Sequence, residues 1–451
     1  MKVLLAEPPQ LFLTGQGHTR QVQPLGLGYI GAALAPEHDV RFLLPDARSF
    51  TGDDPWGEIE LALRREAPDV VGITAVTANY PGAVALAAVV KLIDPRICVV
   101  LGGVHASTEP IDALVGAPDV DFVVRGEGEL TMLELLRVIE REGVGGVHGQ
   151  AVAGLYWRAV DGGIQSSAVR SPVTDLDDLP FPRREGLVWS DDVQPAFHQG
   201  IVTLRGCPYR CIYCAVPSSN ERKTRYRSPA NVVDEVEMLR HRYDVPGLFF
   251  HDSVFTMRRS RTIEICDTLI DRDLALAFHC QTRADRVDIG LLERMKEAGC
   301  EQIFFGIESG DEDSLLRIRK KMDLTTIREA VSMVKGLGIR CTGFFMIGFP
   351  WETERQMTRT ADFATSLGLD AVSLFSATPL PGTELWEMAG GTHMPESVDF
   401  RAPQVNVTTM ADDAYTELFA GIKTRIDGYN EVQMRGRIAA MQPETPISWL
   451  G

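Results

Sequence analysis

Three cysteines within one short stretch, Arg205-Gly-Cys-Pro-Tyr-Arg-Cys-Ile-Tyr-Cys214, constrain this chain more than any other feature. Cys207, Cys211 and Cys214 follow a β-prone run, Ile201–Leu204, and sit in one tight loop. Three thiolates this close can hold three corners of an iron–sulfur cube, whereas an electron-carrier cluster normally takes four cysteines. The fourth iron then stays open, and an open metal position is where chemistry happens. No fourth cysteine is near, the next along being Cys266. The alternative is a zinc site completed by His198 or His251.

At 451 residues the chain can build two or three domains. No apolar run approaches the ~20 residues of a membrane helix. The N-terminus, Met1–Pro9, reads as a strand and a turn, not as a signal peptide. A cytoplasmic location is expected, which suits an oxygen-sensitive cluster. The other cysteines, Cys98, Cys266, Cys280, Cys300 and Cys341, read as small core residues, with Cys280 and Cys341 able to face a barrel cavity. A net charge of −17 argues against a nucleic-acid substrate. The basic run Glu221–Arg227 reads either as a solvated turn or as a lining for an anionic ligand.

Short apolar runs alternate with helical patterns twice, which predicts an α/β protein. Residues 1–145 are expected to form a doubly wound, Rossmann-like domain, with strands Lys2–Ala6, Val40–Leu44, Val70–Thr74, Ile97–Leu101 and Phe122–Val124. A connector over 146–195 carries an expected β-hairpin, Ala151–Val160 and Ile164–Val169, around Asp161-Gly-Gly163. Over 196–387 the strands Gly200–Leu204, Leu248–His251, Ala275–Gln281, Gln302–Gly306, Cys341–Ile347 and Ala371–Ser376 fit a partial (β/α)6 barrel, with function at the strand C-terminal ends. The region 388–451 is expected to be mainly helical. Tyr415, Leu418, Phe419, Ile422 and Ile426 align there as a packing face.

The cysteine spacing, with Tyr213 one place before the last cysteine, resembles the signature of the radical S-adenosylmethionine (SAM) superfamily. The resemblance implies that Cys207, Cys211 and Cys214 ligate a 4Fe–4S cluster whose open iron chelates SAM, and that Tyr213 packs near the adenine. An electron from the cluster would cleave SAM to methionine and a 5′-deoxyadenosyl radical. Further SAM contacts are expected at barrel strand ends: Asp252 for the amino group, Arg283 for a carboxylate, Glu308 and Ser309 for ribose or carboxylate, and the backbone of Ile347 and Gly348 beside the adenine. For Asp252 and Ser309 a helix-capping role is open, and for Arg283 a structural ion pair.

Upstream, the glycine-centred segment Pro24-Leu-Gly-Leu-Gly-Tyr29 opens the first expected helix, while Leu101-Gly-Gly-Val-His-Ala106 and Arg125-Gly-Glu-Gly-Glu129 follow the fourth and fifth expected strands and Gly72–Tyr80 leaves the third. In this order and with the linker Leu176–Pro182, they resemble the cobalamin-dependent radical SAM family over nearly all of the first ~390 residues. That implies a cobalamin site at Leu25, Gly26, Gly28, Thr74, Thr77, Asn79, Gly102, Gly103, His105, Gly126, Glu127 and Glu129. The Asp-x-His-x-x-Gly motif that supplies a histidine to cobalt elsewhere is absent, and His105 lacks its neighbours. The implied activity is methylation of an unactivated carbon of a small metabolite. Cyclisation, rearrangement or oxidation without methyl transfer is the alternative. An external electron donor such as flavodoxin or ferredoxin is implied, with no nucleic-acid or membrane partner.

Overall fold

The computed structural model describes residues 1–9, 23–45, 55–147, 152–189, 193–216, 222–274, 276–391 and 398–440. Ala151, Glu221 and Ala275, at the edges of three segments named above, lie outside these. The chain divides into two compact units. One comprises Met1–Ser253, Asp271–Leu276 and Pro379–Asp399; the other comprises Val254–Ile270, Ala277–Thr378 and Phe400–Gly451. No helix among the described residues is long and apolar enough to cross a membrane.

The first unit opens with a doubly wound, Rossmann-like sheet of order β2-β1-β3-β4-β5-β6-β7. Its parallel strands are β1 (Lys2–Ala6), β2 (Asp39–Leu43), β3 (Val70–Thr74), β4 (Cys98–Gly102) and β5 (Phe122–Val124). Alternation along β1 shows why both faces need helices. Val3 and Leu5 enter one core with α1 (Leu25–Leu34) and α6 (Glu129–Glu142), while Leu4 and Ala6 enter the other with α2 (Pro55–Glu66) and α3 (Tyr80–Ile93). The order reverses between β1 and β3, and the loops at their carboxyl ends open the crevice where such sheets bind ligands. The expected hairpin is shorter than read, β6 (Leu155–Arg158) and β7 (Ile164–Ser166), and it adds antiparallel to β5. Gly162, at φ +84°, makes its turn.

Six of the remaining strands belong to a partial β/α barrel, and two form a separate antiparallel pair. In the first unit β8 (Gly200–Ile201) pairs parallel with β11 (Leu248–Phe250). The single strand expected over Gly200–Leu204 is broken. The Asp252 carboxylate accepts from the backbone N–H of Thr203 (2.7 Å) and Leu204 (3.0 Å) and from the Thr203 hydroxyl (2.6 Å), replacing ladder bonds with side-chain ones. After the break, β9 (Leu204–Arg205) pairs antiparallel with β10 (Arg225–Tyr226) and closes the base of the cysteine loop. The helix Pro229–Tyr243 follows, capped by Ser228 and burying Val232, Val233, Val236 and Leu239.

In the second unit β12 (Phe278–Thr282), β13 (Cys300–Glu308), β14 (Arg340–Ile347) and β15 (Ala371–Ser376) pair parallel in that order. The tail helix Asp412–Ala440 buries Tyr415, Phe419, Ile422 and Ile426, as its stripe predicts. Leu418, at the stripe's edge, is half-buried.

Candidate functional site

The first unit contains a cavity of about 740 Å³ at the carboxyl ends of β3, β4 and β5 and the start of α1. Leu25, Gly26, Thr74, Gly102, Gly103, Gly126, Glu127 and Glu129 line it. Arg205 on β9, Gly206, Tyr213 and Cys214 of the cysteine loop, and His251 line it as well. Two of these glycines leave space that side chains would fill. A Cβ on Gly26 or Gly126 would meet nothing within 4 Å. Gly103 lies at φ +95°, and a Cβ there would stand 2.5 Å from the Ala75 carbonyl. Such a floor admits a large flat ligand, and mainly apolar walls (Leu5, Ile30, Val100, Met132) suit a corrin.

The other expected cobalamin residues brace this floor and do not line it. A Cβ on Gly28 would press 2.9 Å from the Pro182 side chain, so this glycine lets the linker approach α1. Asn79 is buried and its Oδ1 accepts from the Val76 N–H, fixing the turn after β3. His105 is also buried, 3.3 Å from the Thr77 hydroxyl and with its ring 4.1 Å from that of Tyr80. Burial pushes its imidazole down to about 4, so it is neutral at physiological pH.

Around the cysteine loop, Cys207 is buried while Cys211 and Cys214 are partly exposed. The Cys214 N–H donates to the Cys211 carbonyl (3.2 Å). No three His, Cys, Asp or Glu side chains among the described residues are grouped to hold one metal ion. Zinc draws every thiolate to about 2.3 Å of a single centre, whereas a cube spreads three thiolates over three irons. Of the two histidines, His198 has its ring 4.5 Å from that of Tyr243 and His251 has its ring 4.5 Å from that of Phe249. Of the basic run, Arg222 and Lys223 are exposed, but Arg225 and Arg227 turn inward. Arg227 pairs with the fully buried Glu235, which Arg184 also contacts (2.7 Å).

In the second unit the expected SAM residues are held by protein partners. Arg283 forms a bidentate pair with Asp285 (2.8 and 2.9 Å) and donates to the Lys320 carbonyl (2.6 Å). Glu308 sits at a bulge between β13 and β14 with φ +75°, and its carboxylate accepts from Lys320 Nζ (2.8 Å). Gly306 makes room for that pair, since a Cβ there would lie 2.7 Å from Glu308 Oε1. Ser309 is fully buried and accepts from the Asp311 N–H (3.1 Å), while Asp311 caps the helix Glu312–Arg317. The Ile347 carbonyl accepts from the Tyr415 hydroxyl (3.3 Å), and the Gly348 N–H donates to Glu352 Oε2 (2.8 Å).

Glu352 is a residue the sequence reading passed over, although its place in Gly348-Phe-Pro-Trp-Glu352 marks the end of β14. Burial pushes its carboxyl up to about 7, against the opposing hydrogen bonds from Ser314, Phe349 and Gly348. The native state thus holds this proton more tightly than the unfolded chain does. The stabilisation is complete below about pH 4.5 and is lost as pH rises through about 7. Unfolding titrations of wild type and Glu352→Gln at several pH values should show the wild type losing up to about 3 kcal/mol relative to the variant between pH 5 and 8. Parallel pH curves would contradict the assignment.

A family model of the radical SAM superfamily matches residues 201–364, and one of the B12 binding domain matches residues 19–136. An uncharacterized methyltransferase of Pyrococcus horikoshii is 31% identical over 402 residues, covering 89% of this chain and 86% of its own. The cytidylyl-2-hydroxyethylphosphonate methyltransferase of Streptomyces wedmorensis is 30% identical over 436 residues, covering 85% and 80%. Anaerobic magnesium-protoporphyrin IX monomethyl ester cyclases are also among the relatives. The radical SAM methyltransferase TsrM of Kitasatospora setae, solved with cobalamin and a 4Fe–4S cluster bound, shares the fold at a TM-score of 0.71 and 19% identity over 86% of this chain and 78% of its own. The chain belongs to the radical SAM enzymes that carry an N-terminal B12-binding domain.

Proposed function

We propose that the protein transfers a methyl group from SAM, by way of cobalamin, to an unactivated carbon of a small molecule. One observation supports this reading: glycines of the B12-binding sheet and residues of the cysteine loop line one and the same cavity. When bound, the 4Fe–4S cluster and SAM supply the hydrogen-abstracting radical and cobalamin the methyl group. Such a C–H bond has no acidic proton, so acid–base catalysis alone does not reach it.

In this reading Cys207, Cys211 and Cys214 hold the cluster, and Tyr213 and Cys214 keep it on the cavity wall. Gly26, Gly102, Gly103 and Gly126 let the corrin approach the backbone. Neutral His105, packed under Tyr80, stays with its own loop. Glu308 and Ser309 shape the end of β13, and Gly348, held by Glu352 and backed by Tyr415, shapes the end of β14. Electrons would come from an external donor such as flavodoxin or ferredoxin in the cytoplasm.

The test is anaerobic turnover with SAM labelled in its methyl group, reductant, hydroxocobalamin and candidate small molecules. Label in the product, with 5′-deoxyadenosine formed alongside, is expected. Cyclised, rearranged or oxidised product that carries no label overturns methyl transfer in favour of the alternative.

A further inference from the structure

The two carboxylates expected at the rim of the cobalamin cavity do something else in the folded chain. Glu127 meets both stems of the cysteine loop at once. Its Oε1 accepts from Arg205, on β9, at 3.1 Å and from Arg225, on β10, at 2.5 Å. Its Oε2 accepts from Arg225 Nη1 (3.0 Å) and from the Val173 N–H of the linker (3.1 Å). Glu129 accepts from Arg205 Nη2 (2.6 Å). The Arg205 guanidinium lies 4.8 Å over the ring of Tyr29 on α1. Arg205 and Arg225 stand opposite each other in the β9–β10 register, so one glutamate staples the pair that closes the loop.

These groups are mostly removed from water, and their charges balance, two arginines against two glutamates. Glu127 and Glu129 also line the cavity, on the segment that begins at Gly126. Gly126 lies at φ +84° with open space where a Cβ would be, and its N–H donates to the Ser107 hydroxyl (2.9 Å), which fixes the start of that segment against the cavity. Anything seated against it therefore presses on the same carboxylates that hold the cysteine loop shut.

We propose that Glu127 is a positioning residue that couples the cavity to the cluster loop, so that a corrin in the cavity orders the loop and slows the loss of its iron. The inference rests on the two-cofactor reading above. Coupling of this kind is reciprocal in binding free energy: the loaded loop tightens corrin binding by the factor by which the corrin tightens the hold of the loop on its iron. The element that transmits it is the stapled β9–β10 pair, and no movement of the cysteines themselves is needed.

The experiment uses the full chain, reconstituted with iron and sulfide, with and without hydroxocobalamin. Iron and corrin are counted first, and release of iron to a coloured chelator is then timed. Wild type is expected to lose iron at least about fivefold more slowly with hydroxocobalamin present. Glu127→Gln keeps iron and corrin but loses the protection, and Glu129→Gln, which frees only the β9 stem, keeps part of it. If Glu127→Gln does not accumulate folded, Arg225→Lys serves, because it retains the charge and loses the two-pronged contact. A purely structural role predicts faster release in the variant with and without the corrin and an unchanged ratio. Equal release in wild type with and without hydroxocobalamin, or full protection in Glu127→Gln, overturns the coupling. Absence of iron or of corrin from the wild type would instead overturn the reading on which it rests.

Discussion

Alanine at Cys207, Cys211 or Cys214 is expected to strip the protein of iron and bring turnover to background while the fold survives. The three cysteines lie outside the described strands and helices, between β9 and β10, so their side chains carry function at little structural cost. Each substitution removes one of only three protein corners. The remaining cysteines do not replace it. Cys98, Cys266, Cys280, Cys300 and Cys341 are all fully buried in the cores. Burial pushes the Cys266 thiol up to about 12 and those of Cys98 and Cys341 higher still, far from the thiolate that iron requires. Reconstituted wild type should hold about four irons per chain and each variant less than about one. Product formation should fall by at least about 10⁴-fold, since the uncatalysed C–H reaction is negligible on this scale. Cys280→Ala is the control, changing packing and not iron. A loop variant that keeps a full complement of iron and a rhombic reduced-cluster spectrum would remove the basis of the proposed chemistry.

The architecture was largely legible in the residues because both of its signals are local. Val3 and Leu5 alternate with Leu4 and Ala6 to feed two cores, and the cysteine spacing fixes a loop without reference to any distant partner. Polar partnerships were harder to read. Glu127 and Glu129 look like rim groups in Arg125-Gly-Glu-Gly-Glu129, and only folding brings in Arg205 and Arg225 from far along the chain. Asp252 reads equally well as a ligand or a cap, but it ties down Thr203 and Leu204, because breaking β8 from β9 left two N–H groups to satisfy. For Arg283, the structural ion pair left open by the sequence is the contact found, with Asp285 two residues on. Glu308 takes a left-handed backbone that its residue type does not advertise, made possible by Lys320 and by the space over Gly306. The missed Glu352 had one usable signal, its fixed distance from Gly348 at the end of β14.

Valine at Gly103 is expected to cost the protein both stability and its corrin site. The residue lies at φ +95°, ψ −174°, a conformation essentially reserved for glycine and worth about 1–3 kcal/mol of strain for any other residue. A Cβ would also stand 2.5 Å from the Ala75 carbonyl, 2.7 Å from its nitrogen and 2.8 Å from Thr74 Oγ1. Those atoms cannot retreat cheaply: the Ala75 N–H donates to the Gly102 carbonyl (2.9 Å), and the Ala75 carbonyl accepts from the His105 N–H (3.1 Å). Overpacking adds about 1–3 kcal/mol. The sum, about 2–6 kcal/mol, is a large share of an ordinary domain's stability, so the unfolding midpoint should fall by roughly 10 °C. Loss of hydroxocobalamin binding in such a variant could reflect either the fold or the site, and Gly26 separates them. It lies within α1, lines the same cavity and has open space where a Cβ would be. Gly26→Ala should therefore leave stability unchanged or raise it by up to about 1 kcal/mol, as alanine does inside a helix. The added methyl nevertheless projects from the cavity wall, so affinity for hydroxocobalamin, followed by its absorbance on titration, should fall about tenfold or more. Undiminished affinity in a stable Gly26→Ala protein would mean that the corrin does not lie against α1, and the glycine floor would need another occupant.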